Sequence, residues 1–284
     1  MKSRLVRLYQ DSLSALHQFR VYARFLAHKS KLPDRECTAG EKPIIVSMTS
    51  HGGRLQACYW AALSLLLQDQ GQTEVHLWLQ ETDRELIPYR LASLEKHGLV
   101  IHYLTEDYGP ATKLLPSMVA WPGTLIVTAD DDAVYERSWL TGLLEAHRRC
   151  PGAIICYRTH RIRYSSKSAV ASYSDWEHMT LTDGIDDLHF FTGVGGVLYP
   201  PNSLHPEVLD IERLRRLSLR NDDIWFNWMA RKQGTSILRI PGKPNRWTPV
   251  LGSRNAGLYQ ENTEMYGNDV ILRAIEEDQL RPYP

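Results

Sequence analysis

Three consecutive carboxylates, Asp130, Asp131 and Asp132, follow a short apolar run at residues 125–128. The run is rich in β-branched residues, which predicts a buried strand. Ionised carboxylates side by side repel one another, and burying them without a partner is costly. A divalent cation such as Mg²⁺ or Mn²⁺ resolves this conflict, because hard ions prefer carboxylate oxygens and keep positions open for phosphate. Since ligands bind at strand ends of open α/β sheets, the triplet predicts a metal and phosphate site; the alternative is a solvated acidic turn.

A second acidic segment, Asp222 and Asp223, stands where an apolar helix is predicted to begin. Helix capping and the helix dipole favour carboxylates at this position, and these effects alone are a complete structural explanation. The dipole is expected to keep Asp223 ionised near neutral pH. Between the two acidic segments, residues 190–201 contain three glycines, which allow tight turns or close approach of a ligand to the backbone.

Strand and helix patterns alternate along the chain around these residues. This alternation predicts an α/β fold with a mostly parallel sheet and right-handed crossovers. Residues 159–188 are polar and irregular, as functional insertions often are. The predicted strands are residues 44–48, 74–79, 99–103, 125–128 and 153–158, and the predicted helices are residues 55–68, 84–97, 138–149 and a short one from residue 111.

The composition is that of an ordinary globular protein. The 284 residues are 43% hydrophobic and 23% charged with a formal net charge of zero, so nothing points to nucleic acid as a partner. No run approaches a membrane span and no signal-peptide core is present, which predicts a cytoplasmic protein. Four cysteines without metal-ligand spacing are predicted to be free thiols in a reducing compartment: Cys37, Cys58, Cys150 and Cys156.

Charge is concentrated near the N-terminus. Residues 1–35 carry eight Lys or Arg against two Asp, and their apolar residues recur at intervals of three or four. This pattern predicts a basic amphipathic helix suited to the anionic inner face of a plasma membrane; the alternative is a helix packed on its own domain. We predict three parts: this segment at residues 1–40, an α/β domain at 41–255 and a tail at 256–284.

Order and spacing of these segments together indicate a family. An Asp-Asp-Asp, a later Gly-Gly loop and an acidic pair at a helix start resemble the metal-dependent glycosyltransferases of the GT-A fold. The sequence looks most like bacterial enzymes of surface polysaccharide synthesis, which carry Gly-Pro-x-x-Lys-Leu-x-Pro ahead of the triplet; here this motif is residues 109–116. The resemblance covers roughly residues 43–255. It implies a GT-A Rossmann-like sheet flanked by helices.

The resemblance also assigns roles on the donor side. It implies that Asp132 binds Mn²⁺ or Mg²⁺ directly with Asp130, while Asp130 or Asp131 reaches the donor ribose or metal-bound water. Lys113 would lie near the diphosphate or base as a point charge. The implied donor is a nucleotide sugar, with UDP-sugars favoured. Further implied donor-binding residues are Thr49, Ser50 and Arg54 after the first strand, and Gly195 and Gly196, which would line the donor sugar and acceptor.

On the acceptor side, the resemblance makes Asp223 the general base of an inverting reaction, with Asp222 as the fallback. The acceptor would be a saccharide or lipid-linked molecule. Many GT-A enzymes add a metal-binding histidine near the C-terminus, whereas the last histidine here is His205. Arg254 and Asn255 could cover the diphosphate, although a surface turn also explains them.

Aromatic residues could stack on sugars. Trp60, Trp78 and Trp225 fall on predicted apolar faces and are interpreted as core residues. Trp176 and Tyr173 belong to the polar insertion and are the candidates for stacking on an acceptor.

Two other functions fit parts of the pattern. A haloacid-dehalogenase-type phosphatase would use Asp130 and Asp132 in Asp-x-Asp-x-Val, but that motif normally ends the first strand of its domain, and three strands are predicted to precede it here. A non-catalytic nucleotide- or carbohydrate-binding module would not need Asp222 and Asp223. Nucleotidyl transfer is disfavoured because no glycine- and arginine-rich signature follows the first strand.

Overall fold

The computed structural model describes residues 2–29, 42–69, 73–166, 169–242, 246–253 and 267–278, without the side chains of residues 2–5 and 7. The helices in this part of the chain are α1 (Lys2–His28), α2 (Leu55–Leu66), α3 (Tyr89–Ala92), α4 (Leu115–Ala120), α5 (Trp139–Arg149), α6 (Ile211–Ser218), α7 (Asp222–Gln233) and α8 (Gly267–Glu277). The strands are β1 (Ile44–Thr49), β2 (Thr73–Gln80), β3 (Leu99–Leu104), β4 (Ile126–Thr128), β5 (Ala133–Tyr135), β6 (Ile154–Cys156), β7 (Thr159–Arg161), β8 (Gly184–Ile185), β9 (His189–Phe191), β10 (Val197–Tyr199), β11 (Ile237–Arg239) and β12 (Trp247–Pro249).

A mostly parallel sheet of eight strands forms the centre, in the order β3-β2-β1-β4-β10-β6-β11-β8. Among the described strands of this sheet, β10 and β8 alone run against their neighbours. Because β10 is antiparallel to both β4 and β6, these two strands run in the same direction as β1. The predicted fold class, an α/β sheet flanked by helices, is confirmed.

Apolar side chains on both sheet faces explain why the central strands are continuous hydrophobic runs. On one face, residues of α2 and α5 pack with Tyr135 and Trp139. On the other, residues of α4, α6, α7 and α8 pack with Trp225 and Trp228. The core assignment of Trp78 and Trp225 is confirmed, since both are buried, while Trp60 is partly buried against the first cluster. The free cysteines Cys58 and Cys156 are buried, and Cys37 lies outside the described residues.

One predicted helix is wrong. Residues 84–97 do not form a single helix but a 3₁₀ turn (Glu81–Leu86), the short α3 and a second 3₁₀ turn (Ser93–His97). Pro88 explains the break, because it lacks an N–H and forces the preceding residue, Ile87, into an extended conformation (ψ 120°). The predicted strand at 153–158 is likewise shorter, and the chain turns into β7, which pairs with β9.

The polar insertion is anchored by α8. The carboxylate of Asp269 accepts hydrogen bonds from Tyr173 N and Ser172 Oγ, both at 2.7 Å, and Glu276 accepts one from Val170 N at 2.8 Å. Trp176 packs against Phe190 and is only 4% exposed, so it is a core residue and not the acceptor platform that its polar surroundings predicted.

The N-terminal segment forms a helix, as predicted. One side of α1 lies on the domain: His17 Nδ1 is 2.6 Å from Thr248 Oγ1, Gln18 accepts from Leu251 N at 3.3 Å, and Phe25 is buried. None of the helices in the described ranges is both long enough and apolar enough to cross a membrane. Residues 30–40 of the predicted N-terminal part and Arg254 and Asn255 lie outside the described residues.

Candidate active site

One edge of the sheet collects the predicted site residues. The carboxyl ends of β1, β4 and β6 meet there because these strands are parallel, and the amino end of antiparallel β10 lies between β4 and β6. The loop after β1, the acidic triplet after β4 and the glycine loop before β10 therefore lie together. The start of α7 joins them through side-chain contacts.

Asp131 connects the loop after β1 to the triplet. Its carboxylate accepts hydrogen bonds from Ser50 Oγ at 2.6 Å and Arg54 Nε at 3.0 Å, and a further one from Arg54 Nη2. Arg54 Nη2 also lies 3.1 Å from Asp132 Oδ2. Burial lowers the pKa of Arg54, but Asp131 and Asp132 more than offset this, so the guanidinium stays charged. Asp131 is thus occupied in holding two loops together.

Lys113 connects the triplet to α7. Its buried ammonium donates to Asp130 Oδ1 at 2.9 Å and lies 3.1 Å from Asp222 Oδ2. Burial lowers the pKa of Lys113, yet the charges of Asp130, Asp222 and Asp223 raise it well above its ordinary value. Two acidic segments far apart in sequence therefore share one buried cation.

Asp223 sits beside this cluster and accepts a hydrogen bond from Gly193 N at 3.0 Å. Burial and the charge of Asp222 raise its pKa to about 7, although Lys113 and the Gly193 N–H lower it. Burial also raises the pKa of Asp222, and Asp130 adds to this against the opposing charge of Lys113. Desolvation and a like charge thus oppose the helix dipole, which was expected to keep Asp223 ionised near neutral pH.

The N-terminus of α7 is fixed by two asparagines that the sequence did not single out. Asn221 caps the helix by accepting from Ile224 N at 3.2 Å, and its amide donates to Asn268 on α8 at 2.7 Å. Asn227 donates to Asp223 O at 2.7 Å and exchanges hydrogen bonds with the backbone of Phe191. Asn227 therefore joins the acidic helix start to β9 and the glycine loop. For Asn227, the available signal was a polar residue within the apolar stretch at residues 224–230.

The glycines of the loop have separate roles. A Cβ on Gly193 would lie 2.9 Å from Lys113 Nζ and 3.1 Å from Asp223 Oδ1, so this glycine contacts the acidic cluster. Gly196 has φ +85°, and a Cβ there would lie 2.3 Å from the ring of Trp139, whose Nε1 donates to Gly195 O. Gly195 and Gly196, the residues predicted to line the substrate, therefore pack against the core, and their contact with a ligand stays a prediction.

Thr49 lies at the end of β1, and its hydroxyl donates to Trp78 O at 2.9 Å. Its predicted contact with the donor also stays a prediction. The candidates that the structure brings into direct contact with one another are Ser50, Arg54, Lys113, Asp130, Asp131, Asp132 and Asp222; Asp223 joins them through the charge of Lys113 and the backbone of Gly193.

Asp130 and Asp132 offer the hard oxygen atoms that Mg²⁺ and Mn²⁺ prefer. Burial and the charges of Asp130 and Asp131 raise the pKa of Asp132 to about 6 against the opposing effect of Arg54, so this edge carries more negative charge than its cations neutralise. Within the described ranges, no three His, Cys, Asp or Glu side chains are arranged to hold a metal ion. Metal binding by Asp130 and Asp132 therefore stays a prediction.

No protein-family model matches this sequence, and a search of curated proteins finds no match. Solved structures that are similar in part include two of one protein. The crystal structure of S. aureus TarS residues 1–349 has 11% identity and a TM-score of 0.47, covering 84% of this chain and 69% of that one. The complex of the same TarS fragment with UDP has 13% identity and a TM-score of 0.46, covering 69% and 57%.

Proposed function

We propose that this chain is a glycosyltransferase that moves a sugar from a nucleotide-sugar donor, with a UDP-sugar favoured, to a saccharide or lipid-linked acceptor in cell-surface polysaccharide synthesis. The observation that carries the proposal is the convergence on Lys113. Asp130 of the triplet lies 2.9 Å and Asp222 of the helix pair 3.1 Å from its ammonium, and Gly193 of the glycine loop bonds to Asp223. The ordered set of motifs that resembles GT-A enzymes thus forms one cluster at the ligand-binding edge of the sheet.

In this proposal the reaction inverts the anomeric carbon. Asp223 takes the proton from the acceptor hydroxyl as its oxygen attacks, while the bond to the nucleoside diphosphate breaks with its electron pair. The pKa of about 7 suits this role, because a base titrating near the working pH is available in its ionised form and still accepts a proton readily. Lys113 holds Asp222 beside Asp223 and limits the repulsion between them.

Asp130 and Asp132 would hold the divalent cation, Mn²⁺ or Mg²⁺. When bound, such an ion supplies Lewis-acid stabilisation of the leaving diphosphate and orients it. Arg54 keeps Asp131 and Asp132 in place from the loop after β1.

The phosphatase alternative would make Asp130 a nucleophile. Two features of the site disfavour it: the triplet follows the fourth strand of the domain, and Asp130 is ion-paired with the buried Lys113. A binding module alone would leave the raised pKa of Asp223 without a role, because a perturbed carboxyl in such a cluster is typical of catalysis.

We also propose that α1 attaches the protein to an anionic membrane surface on the cytoplasmic side. One side of α1 packs on the domain, as expected if the helix belongs to its own domain, so membrane binding is proposed for the exposed sides alone. Other sides of α1 expose large apolar residues: Val6, Leu8, Tyr9, Leu13, Leu16, Phe19 and Leu26. Residues 1–35 contain eight basic side chains, whereas the rest of the chain has 25 basic against 31 acidic ones. An anionic bilayer matches this combination of apolar surface and local positive charge.

A ligand panel tests the donor assignment. Melting temperatures are measured with UDP-, GDP-, CMP- and dTDP-sugars, each with and without Mn²⁺, because a ligand that binds only the folded state raises the melting temperature. At least one nucleotide sugar should stabilise the protein more with Mn²⁺ than without it, and Asp132→Ala should remove the metal-dependent part. Stabilisation that is identical in Asp132→Ala would argue against this metal site.

A further inference from the structure

Arg158 follows β6 and has an unpaired guanidinium beside the glycine loop. Its Nε is buried without a hydrogen-bond partner, and its guanidinium forms no ion pair with any residue that the structure describes. Two buried arginines elsewhere differ in that their Nη atoms donate hydrogen bonds. Arg231 donates through its Nη atoms to Asp187 O and His189 O, and Arg239 donates to Asp183. A partly buried cation without a partner is costly, so an anion at this position would stabilise it.

Thr192 provides a second unused donor at the same place. Its N–H donates to Arg158 O at 3.2 Å, which joins the two residues through the backbone. The Thr192 side chain is only 5% exposed, yet its hydroxyl has no hydrogen-bond partner among the residues that the structure describes. Buried hydroxyls in native proteins are nearly always satisfied, so a ligand group at this position would find a donor in Thr192.

Both residues lie across the glycine loop from the Lys113 cluster. A Cβ on Gly193 would approach Lys113 and Asp223, whereas a Cβ on Gly195 would lie 3.3 Å from Arg158 Cβ. The two glycines belong to one 3₁₀ turn, closed by a 2.8 Å hydrogen bond from Gly196 N to Gly193 O. The Arg158 side is therefore one turn away from the candidate base and on the side of the polar insertion.

The electrostatics of this side also suit an anion. Burial, together with the charges of Arg158 and His178, lowers the pKa of His160 to about 3, so that histidine is neutral and Arg158 is the cation of this side. Arg158 forms no ion pair with a carboxylate in the described part of the chain. Its charge thus remains available to a ligand.

We infer that Arg158 and Thr192 form a subsite for an anionic group, a phosphate or a carboxylate, carried by the acceptor. A guanidinium binds either group through two parallel hydrogen bonds, and a hydroxyl adds a third donor. The acceptor is the source because the donor diphosphate is assigned to the other side of the glycine loop. This assignment of the source rests on the proposed function, whereas the anion site itself rests on Arg158 and Thr192.

The test uses the full-length protein with Mn²⁺ and saturating UDP, so that the donor site is filled. Methyl phosphate and acetate are then titrated by isothermal calorimetry, and the two probes distinguish the phosphate from the carboxylate. Wild type should bind at least one probe, and Arg158→Gln should weaken that binding by about tenfold or more because a charge-assisted bidentate contact is lost. Thr192→Val should weaken it less, and Arg158→Lys should retain part of it.

Arg163→Gln is the matched control, because Arg163 is an exposed arginine shortly after Arg158 in the chain. This variant should bind the probe as wild type does. UDP affinity should be equal in wild type and Arg158→Gln. The inference is overturned if neither probe binds wild type, if Arg158→Gln and Arg158→Lys bind as wild type does, or if the probe merely displaces UDP. If UDP itself does not bind, the donor assignment fails, and titration of the nucleotide-free variants still decides the anion site.

Discussion

At the scale of residues, the site is governed by one ammonium among three carboxylates. Lys113 interacts with Asp130, Asp222 and Asp223, so at least one carboxylate lacks a full counter-charge. Asp223 is the carboxylate that is protonated most easily, because burial and the charge of Asp222 raise its pKa to about 7. The sequence identified all four residues but could not predict this balance, because burial and the spacing between the two acidic segments arise only in the folded chain.

The protonation of Asp223 predicts the pH dependence of turnover. A general base must be ionised, so kcat at saturating donor should rise with pH through about 7. Asp222→Asn removes a charge that raises this pKa, so the rising limb should move to lower pH. A limb that stays in place in Asp222→Asn would show that another group titrates.

Asp223→Asn should reduce kcat by about 10²–10⁴-fold with little change in donor affinity. Because the folded-state pKa of Asp223 is raised, ionisation of this carboxyl opposes folding as pH rises toward 7 and above. The amide removes that penalty and still accepts from Gly193 N, so the variant should melt no lower than wild type at pH 8. An inactive Asp222→Asn alongside an active Asp223→Asn would instead make Asp222 the base.

At the scale of elements, local sequence patterns predicted the positions of those strands and helices whose structure depends mainly on their own residues. The strands β1, β2 and β3 and the start of α7 lie close to their predicted positions, because apolar periodicity and capping are local signals. Pro88 shows how a single residue overrides a helical pattern. Contacts between distant elements could not be predicted from local sequence. Examples are the hydrogen bond between Asn268 on α8 and the capping residue of α7, and the burial of Trp176 within a polar insertion.

The glycine loop gives a prediction that separates function from stability. Gly193→Ala places a methyl group against Lys113 and Asp223 at a backbone conformation that alanine accepts, so it should lower kcat with a small change in melting temperature. Gly196→Ala forces φ +85° and a clash with the Trp139 ring, which should cost about 2 kcal/mol or more in the free energy of unfolding. Activity assays and urea titrations of both variants check this. Equal losses of stability would contradict the assignment of Gly193 to the site.

At the scale of the whole molecule, one side of α1 packs on the domain and its other sides are exposed. Its inner face holds the segment after β12 through Gln18 and Leu251, and the neighbouring Val250 N donates to Asp132 O at 2.7 Å. Deleting α1 would therefore disturb the backbone beside the acidic triplet as well as remove the outer face. The sequence predicted the helix and its charge, but which apolar residues face outward depends on the packing partner.

Outward-facing substitutions on α1 test membrane attachment without disturbing the domain. The double variant Leu16→Ser, Phe19→Ser alters side chains that are 45% and 68% exposed, so the melting temperature should barely change. Wild type should sediment with anionic vesicles and be released as salt rises, because charge attraction is screened. The double variant should bind several-fold more weakly, whereas Val119→Ser, at another exposed site, should not. If the double variant sediments as wild type does, the outer face does not bind the membrane. If wild type forms a concentration-dependent dimer that the double variant does not form, the outer face binds a second copy of the chain instead.

The central claim is that the acidic cluster around Lys113 transfers a sugar from a nucleotide donor. Its most direct test is to incubate the protein with the nucleotide sugar that stabilises it, with Mn²⁺ and saccharide acceptors, and to identify the products. We predict release of the nucleoside diphosphate with a glycosidic product of inverted anomeric configuration. Both should be abolished in Asp132→Ala and by excess EDTA, and unchanged in Glu145→Gln, which alters an exposed side chain of α5. Inorganic phosphate as the product, retained configuration, or full activity of Asp132→Ala would contradict the account.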